Sequence, residues 1–163
     1  MAPLKIFTEP APSLRQRSRE LGVEEITTPD FQAYLDQLTD LMFVADGIGI
    51  ASPQVGKNIR AVVVSLREGA TCLMNPEIIK QSETLAESEE GCLSVPGRFG
   101  VVMRQRQVTV RALNRHGRRV EYDLKNLPAF VIQHEIDHLN GILFIDKMIR
   151  STDKVIRAKQ KNL

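Results

Sequence analysis

An α+β fold, with antiparallel-rich sheets packed around a central helix that carries two histidines, follows from three features of the sequence. An amphipathic helical pattern comes early, a run of strand patterns fills the middle, and a largely apolar helix bearing His134 and His138 follows them. That order, helix then strands then helix, is not the regular alternation of a parallel α/β sheet. The 163 residues suit a single domain, spanning 1–163, with a real core. Hydrophobic residues make up 42% and Trp is absent, so the core should be aliphatic.

Residues 1–27 carry Pro10 and Pro12 amid mixed charge and read as a surface arm. Thr28-Pro29-Asp30 is a helix start: a capping hydroxyl, a proline in the first turn and an acid at the positive dipole end. Phe31, Leu35, Leu38 and Met42 recur at helical spacing, so the helix should run to about Val44. Gly47 to Gly56 follows, with three glycines in ten residues. Its spacing fits neither a dinucleotide loop nor a P-loop. Gln54 is the one long amide there. From this stretch alone an exposed loop glutamine is the simpler reading.

Arg60 to Leu66 is rich in Val and reads as a strand. A short strand covers Cys72 to Met74, with Asn75-Pro76 turning the chain, and Ile78 to Gln81 with Leu85 adds an edge. Val108, Val110 and Ala112 alternate with polar residues. Asn114 to Gly117 makes a hairpin turn, and Val120, Tyr122 and Leu124 return. His116, in that turn, should be exposed and inert. Pro128 near the start, Asn126 as N-cap and Gly141 as the left-handed stop bound the histidine helix. Beyond Asp146 the chain is polar and basic, and Met148, Val155 and Ile156 suggest a short terminal helix.

A net charge of +2 is too small to argue for DNA or a membrane surface as partner. The sequence has no apolar run long enough to span a bilayer and no signal-peptide core at its start, so a cytoplasmic location is the expectation; a monomer is expected beside it. In that setting Cys72 and Cys92 should be free thiols. Cys72, in an apolar strand, is a core residue.

The chemistry gathers at His134-Glu135-Ile136-Asp137-His138. Histidines four residues apart share one helix face and can bind one metal ion, and Glu135 stands where a general base beside an activated water belongs. A catalytic site of this kind takes three protein ligands and keeps one position open. Cys92, His116, Glu89, Glu90 and Asp137 are candidates for the third. Cys92 is the best, because Gly91 lets the backbone approach closely and a thiolate adds negative charge. Asp137 is then a partner behind the ligands.

Glu90-Gly91-Cys92-Leu93-Ser94 resembles the second signature of the peptide deformylases. Gly47 to Gly56 resembles their first, G-x-G-x-A-A-P-Q-x-G, with Ser52 in place of an alanine, and Gln133 to His138 matches their third. All three occur in the family's order. The resemblance implies removal of the N-formyl group from the initiator methionine of new polypeptides. It implies Cys92, His134 and His138 as ligands of one divalent metal, Fe(II) first, with Zn(II), Ni(II) or Co(II) as alternatives. Glu135 would move the proton, while Gln54 and the Leu93 N–H would meet the charge on the carbonyl oxygen. Gly47, Ile48, Gly49, Glu90 and Gly91 would receive the substrate, with Ile132 beside a methionine pocket. Nascent formyl-methionyl chains are the implied partner. The basic tail, Lys147, Arg150, Lys154, Arg157, Lys159 and Lys161, either touches the ribosome or forms a solvated face, the latter being the simpler. Two rival readings stand beside this one. An H-E-x-x-H metalloprotease would need a further His or Glu ligand downstream, and a non-catalytic metal-binding module would not need Glu135.

Overall fold

The computed structural model describes residues 3–153. In chain order its elements are α1 (Val23–Ile26), α2 (Pro29–Val44), β1 (Gly49–Ala51), β2 (Ala61–Leu66), β3 (Gly69–Gln81), β4 (Leu85–Cys92), β5 (Val95–Gln105), β6 (Gln107–Leu113), β7 (Arg119–Lys125), α3 (Leu127–Leu139), α4 (Phe144–Lys147) and β8 (Arg150–Ser151). A five-stranded sheet runs in the order β1-β2-β3-β6-β7, and a three-stranded one in the order β4-β5-β8. Every pairing within them is antiparallel.

The Val-rich run of β2 is explained by burial on both faces. Ala61 and Val63 pack with Phe31, Leu35, Leu38 and Met42 of α2, while Val62 and Val64 pack with Ala129, Ile132, Ile136 and Leu139 of α3. Such a strand reads as a continuous apolar stretch rather than an alternation. The smaller sheet lies on the other flank of α3. Gln133 on the helix accepts from Gln105 N–H at 3.0 Å and donates to its carbonyl at 2.9 Å. The histidine helix is therefore central, held between two sheets.

Five expectations need correction. Asn75-Pro76 does not turn the chain, and Ile78 to Gln81 is no separate edge: one strand, β3, continues through both between β2 and β6, Leu85 opens β4 of the other sheet, and Asn75 takes a left-handed φ of 50° beside a shift of register against β6. Its amide is anchored elsewhere, accepting from Leu21 N–H at 2.9 Å. Asn126 precedes α3 but caps nothing with its side chain, which accepts from Arg106 Nε at 3.2 Å. Residues 3–27 are no loose arm. Leu14 and Ile26 are fully buried. Phe7 N–H donates to the Gln54 carbonyl at 2.7 Å and Glu9 N–H to the Ser94 carbonyl at 2.9 Å. The segment thus staples two of the motif-bearing loops, and only its lack of periodicity made it look peripheral. Finally, Met148 opens no helix: the chain goes on to β8, while Val155, Ile156 and the basic tail from Lys154 lie outside the described residues.

Gly141 ends the histidine helix at φ 73°, and a Cβ there would stand 2.7 Å from the Arg15 backbone. Both the left-handed angle and the contact with main chain oppose any side chain. Gly141→Ala should therefore lower the unfolding free energy by about 1–3 kcal/mol, read as a reduced urea midpoint with an unchanged slope.

Candidate active site

Three ligand atoms meet where α3 faces the end of β4. The donor atoms of Cys92, His134 and His138 all lie within 4.8 Å of one another, and Cys92 Sγ is 3.2 Å from His138 Nε2. The helical repeat brings the two rings together edge to face, with centroids 5.0 Å apart and planes at 73°. The glycine beside Cys92 suggests a loop. Cys92 is instead the last residue of β4, where a register shift after Gly91 breaks the ladder and redirects the thiol.

The donor set fits a divalent metal. One thiolate and two imidazoles make a three-ligand site of the catalytic kind. His138 is 1% exposed, and burial, then the charge of His134, pushes its pKa well below the usual value, so it is a neutral imidazole suited to ligation. His134 Nδ1 sits 2.8 Å from Glu90 Oε2. Burial opposes a proton on this ring, yet Cys92 and Glu90 outweigh it and raise the pKa to about 10. Without a metal the ring is thus an imidazolium, protonated on both nitrogens; to ligate, it gives up the Nε2 proton and keeps the Nδ1 proton toward Glu90.

Glu135 lies beside the ligands, 4% exposed, and its Oε2 is buried without a hydrogen-bond partner. Burial raises its carboxyl to about 7, with His134 working the other way. An unpartnered carboxylate poised near neutrality is what a proton carrier needs. Gln54 is 2% exposed, not a surface glutamine. Its Oε1 accepts from Ala51 N–H at 2.9 Å. Its Nε2 donates to Ser94 Oγ at 3.2 Å and lies 3.6 Å from Cys92 Sγ. The amide is thereby locked with its NH₂ end toward the ligand cluster. Ser52 is buried and accepts the Tyr34 hydroxyl at 2.7 Å, so the departure from alanine is absorbed by a partner.

These groups border a cavity of about 440 Å³. Gly47, Ile48 and Gly49 form one wall and Glu89 to Leu93 the other, with Leu127, Phe130 and Val131 of α3 between them. Ile132, expected at the pocket, is fully buried in the core against the large sheet, on the side of α3 turned away from the lining face. His116 is exposed in its turn and distant from the cluster in sequence and sheet.

Comparison with known proteins decides the family. The polypeptide deformylase family model matches residues 3–154. The chain belongs to the peptide deformylase family. It is 46% identical over 142 residues to a peptide deformylase of Halothermothrix orenii, covering 86% of this chain and 91% of that one. With the Syntrophomonas wolfei peptide deformylase it shares 44% over 151 residues, 93% and 97% of the two chains. The solved peptide deformylase of Thermotoga maritima superposes with a TM-score of 0.87 at 33% identity, covering 92% of this chain and all of that one. That of Synechococcus elongatus, in complex with actinonin, gives 0.86 at 35%, covering 92% and 81%.

In this deformylase the sequence alone did not point to Arg104. It is 3% exposed, and its Nε and Nη2 donate to both Glu90 oxygens at 2.8 and 2.9 Å, while Nη1 reaches Asp137 at 2.6 Å. Asp137 also accepts from Lys147 at 2.7 Å. Burial opposes the Glu90 charge, but Arg104 and His134 prevail and hold that carboxyl at about 2. Glu90, expected to meet substrate, is thus committed to Arg104 and His134. Two acids flanking the ligands demanded a cation, and that was the available signal.

Gly49 also matters by its lack of a side chain. A Cβ at this position would collide with the Glu135 carboxylate. Gly49→Ala should lower kcat by about 10–100-fold by displacing that group, with metal content retained. Steady-state kinetics with metal analysis checks it.

Proposed function

We infer that the chain is a metal-dependent hydrolase that removes the N-formyl group from the N-terminal methionine of newly made polypeptides and releases formate. The observation that carries this reading is the convergence of Cys92, His134 and His138 beside a buried, unpartnered Glu135 and a locked Gln54 amide. A divalent ion held by those three residues, Fe(II) by preference and Zn(II), Ni(II) or Co(II) by donor chemistry, supplies a Lewis acid and an activated water when bound. Glu135 takes the proton of the attacking water and returns it to the leaving amine. Gln54 Nε2 and the Leu93 N–H meet the charge that grows on the formyl oxygen. Gly47, Ile48 and Gly49 on one side and Gly91 on the other accept the backbone of the substrate, and Phe130 and Val131 offer an apolar lining to the methionine side chain. Glu90 acts through His134 rather than on substrate. The chain works as one catalytic domain, a monomer of the cytoplasm acting on nascent chains at the ribosome. Among the described residues no helix is long and apolar enough to cross a membrane.

A formyl-Met-Ala-Ser assay with metal analysis tests this directly, with Cys92→Ser as the discriminating variant. The expected result is release of formate by the wild type and loss of the metal, or a changed metal preference, in the variant. A metalloprotease with a ligand downstream of His138 would keep its metal in Cys92→Ser and cut internal peptide bonds instead.

A further inference from the structure

After α4 the chain doubles back and lies along the edge of β5 that faces away from β4. Ile149 N–H donates to the Val101 carbonyl at 2.8 Å, and Gly100 and Val101 pair with Ser151 and Arg150. Contact is flush, since a Cβ on Gly100 would run into Met148 and stand 2.9 Å from the Arg150 carbonyl. Beyond the strand pairing, both main-chain groups of Phe99 are taken: its carbonyl accepts from Thr152 N–H at 2.9 Å, and its N–H donates to Asp153 Oδ1 at 2.7 Å. Thr152 Oγ also donates to Glu89 at 2.8 Å, and Arg150 grips Glu87 with two bonds of 2.8 and 2.6 Å.

Phe99 is not a core residue. It is 42% exposed, lines the cavity, and lays its ring on Gly91, where a Cβ would stand 2.7 Å from Cε1. Ile48 and Leu127, also lining the cavity, are 51% and 58% exposed. The mouth therefore has an apolar rim, although the formyl and methionyl groups belong further in. The residues that follow methionine must cross that rim. A large exposed apolar side chain fixed through its own backbone is suited to contact.

We propose that Ile149–Asp153 is a strap that positions Phe99, and that Phe99 selects among substrates by contact with an apolar side chain downstream of the formyl-methionine. This rests on the deformylase reading above. Phe99 touches the substrate; Thr152 and Asp153 are positioning residues that act through it.

The test uses metal-loaded enzyme and formyl-Met-X-Ser and formyl-Met-Ala-X peptides with X as Gly, Leu or Phe. Wild type should prefer Leu or Phe over Gly at one of the two positions by roughly tenfold in kcat/KM, a modest ratio because the contact is half-exposed. Phe99→Ala should erase that preference and Phe99→Leu keep most of it. Asp153→Ala should shrink it through KM, with metal content retained, and Asp153→Asn, which still offers an acceptor to the Phe99 N–H, should restore it. A uniform loss over all peptides in Asp153→Ala, or an unaltered preference in Phe99→Ala, would overturn the proposal. Failure of the wild type to release formate from any peptide would instead overturn the underlying reading.

Discussion

Glu135→Gln should abolish most deformylation, by about 10²–10⁴-fold in kcat, while the metal stays bound. Glutamine keeps the volume and one oxygen but cannot accept a proton at neutral pH. Ligation is spared because Cys92, His134 and His138 form the cluster without it. The buried site amplifies the effect, since Oε2 of Glu135 has no protein partner that could take over its role. The wild-type rate should fall on the acid side as the carboxyl protonates, from about 7 downward, and a cation beside it moves that limb lower. The variant should lack this limb. Stopped assays from pH 5 to 9, with metal content measured at each point, give both readings. A non-catalytic metal module would show no change on this substitution.

What the sequence revealed and what it hid divide by range. The ligands His134 and His138 are four residues apart on one helix, so periodicity alone places them together. Thr28, whose side chain accepts from Phe31 N–H at 3.3 Å, marks a helix start for the same local reason. Gln54 was readable only through its motif. As an isolated loop amide it looked exposed, and its burial depends on Ser94, forty residues on, and on Phe7 covering its backbone. Asn75-Pro76 carried a turn signal that the sheet overrode, because Asn75 found partners at Leu21 across the fold. Arg104 left no local trace. It is one of 22 Lys and Arg residues, and nothing within ten positions says that β5 will bring it between Glu90 and Asp137.

Arg104→Met should be the most destabilising of these substitutions, costing about 3–5 kcal/mol at neutral pH because it strands buried carboxylates. Methionine fills similar space but leaves Glu90 with only His134, and Asp137 with only Lys147. Metal affinity should fall as well, by about 10–100-fold, because Glu90 fixes the ring of His134. The pH dependence identifies the cause. In the wild type the Glu90 carboxyl is depressed from 4.5 to about 2, so its contribution is present above 4.5 and is lost as the pH falls toward 2. Without the guanidinium, burial dominates and the folded-state pKa rises above 4.5. The sign then reverses: the variant is penalised as the pH climbs past 4.5 and relieved as it drops. Urea unfolding of metal-free protein at pH 7 and pH 5 should therefore show the gap between wild type and variant shrinking at the lower pH. A gap that is the same at both values would assign the loss to packing around the methionine instead of to charge.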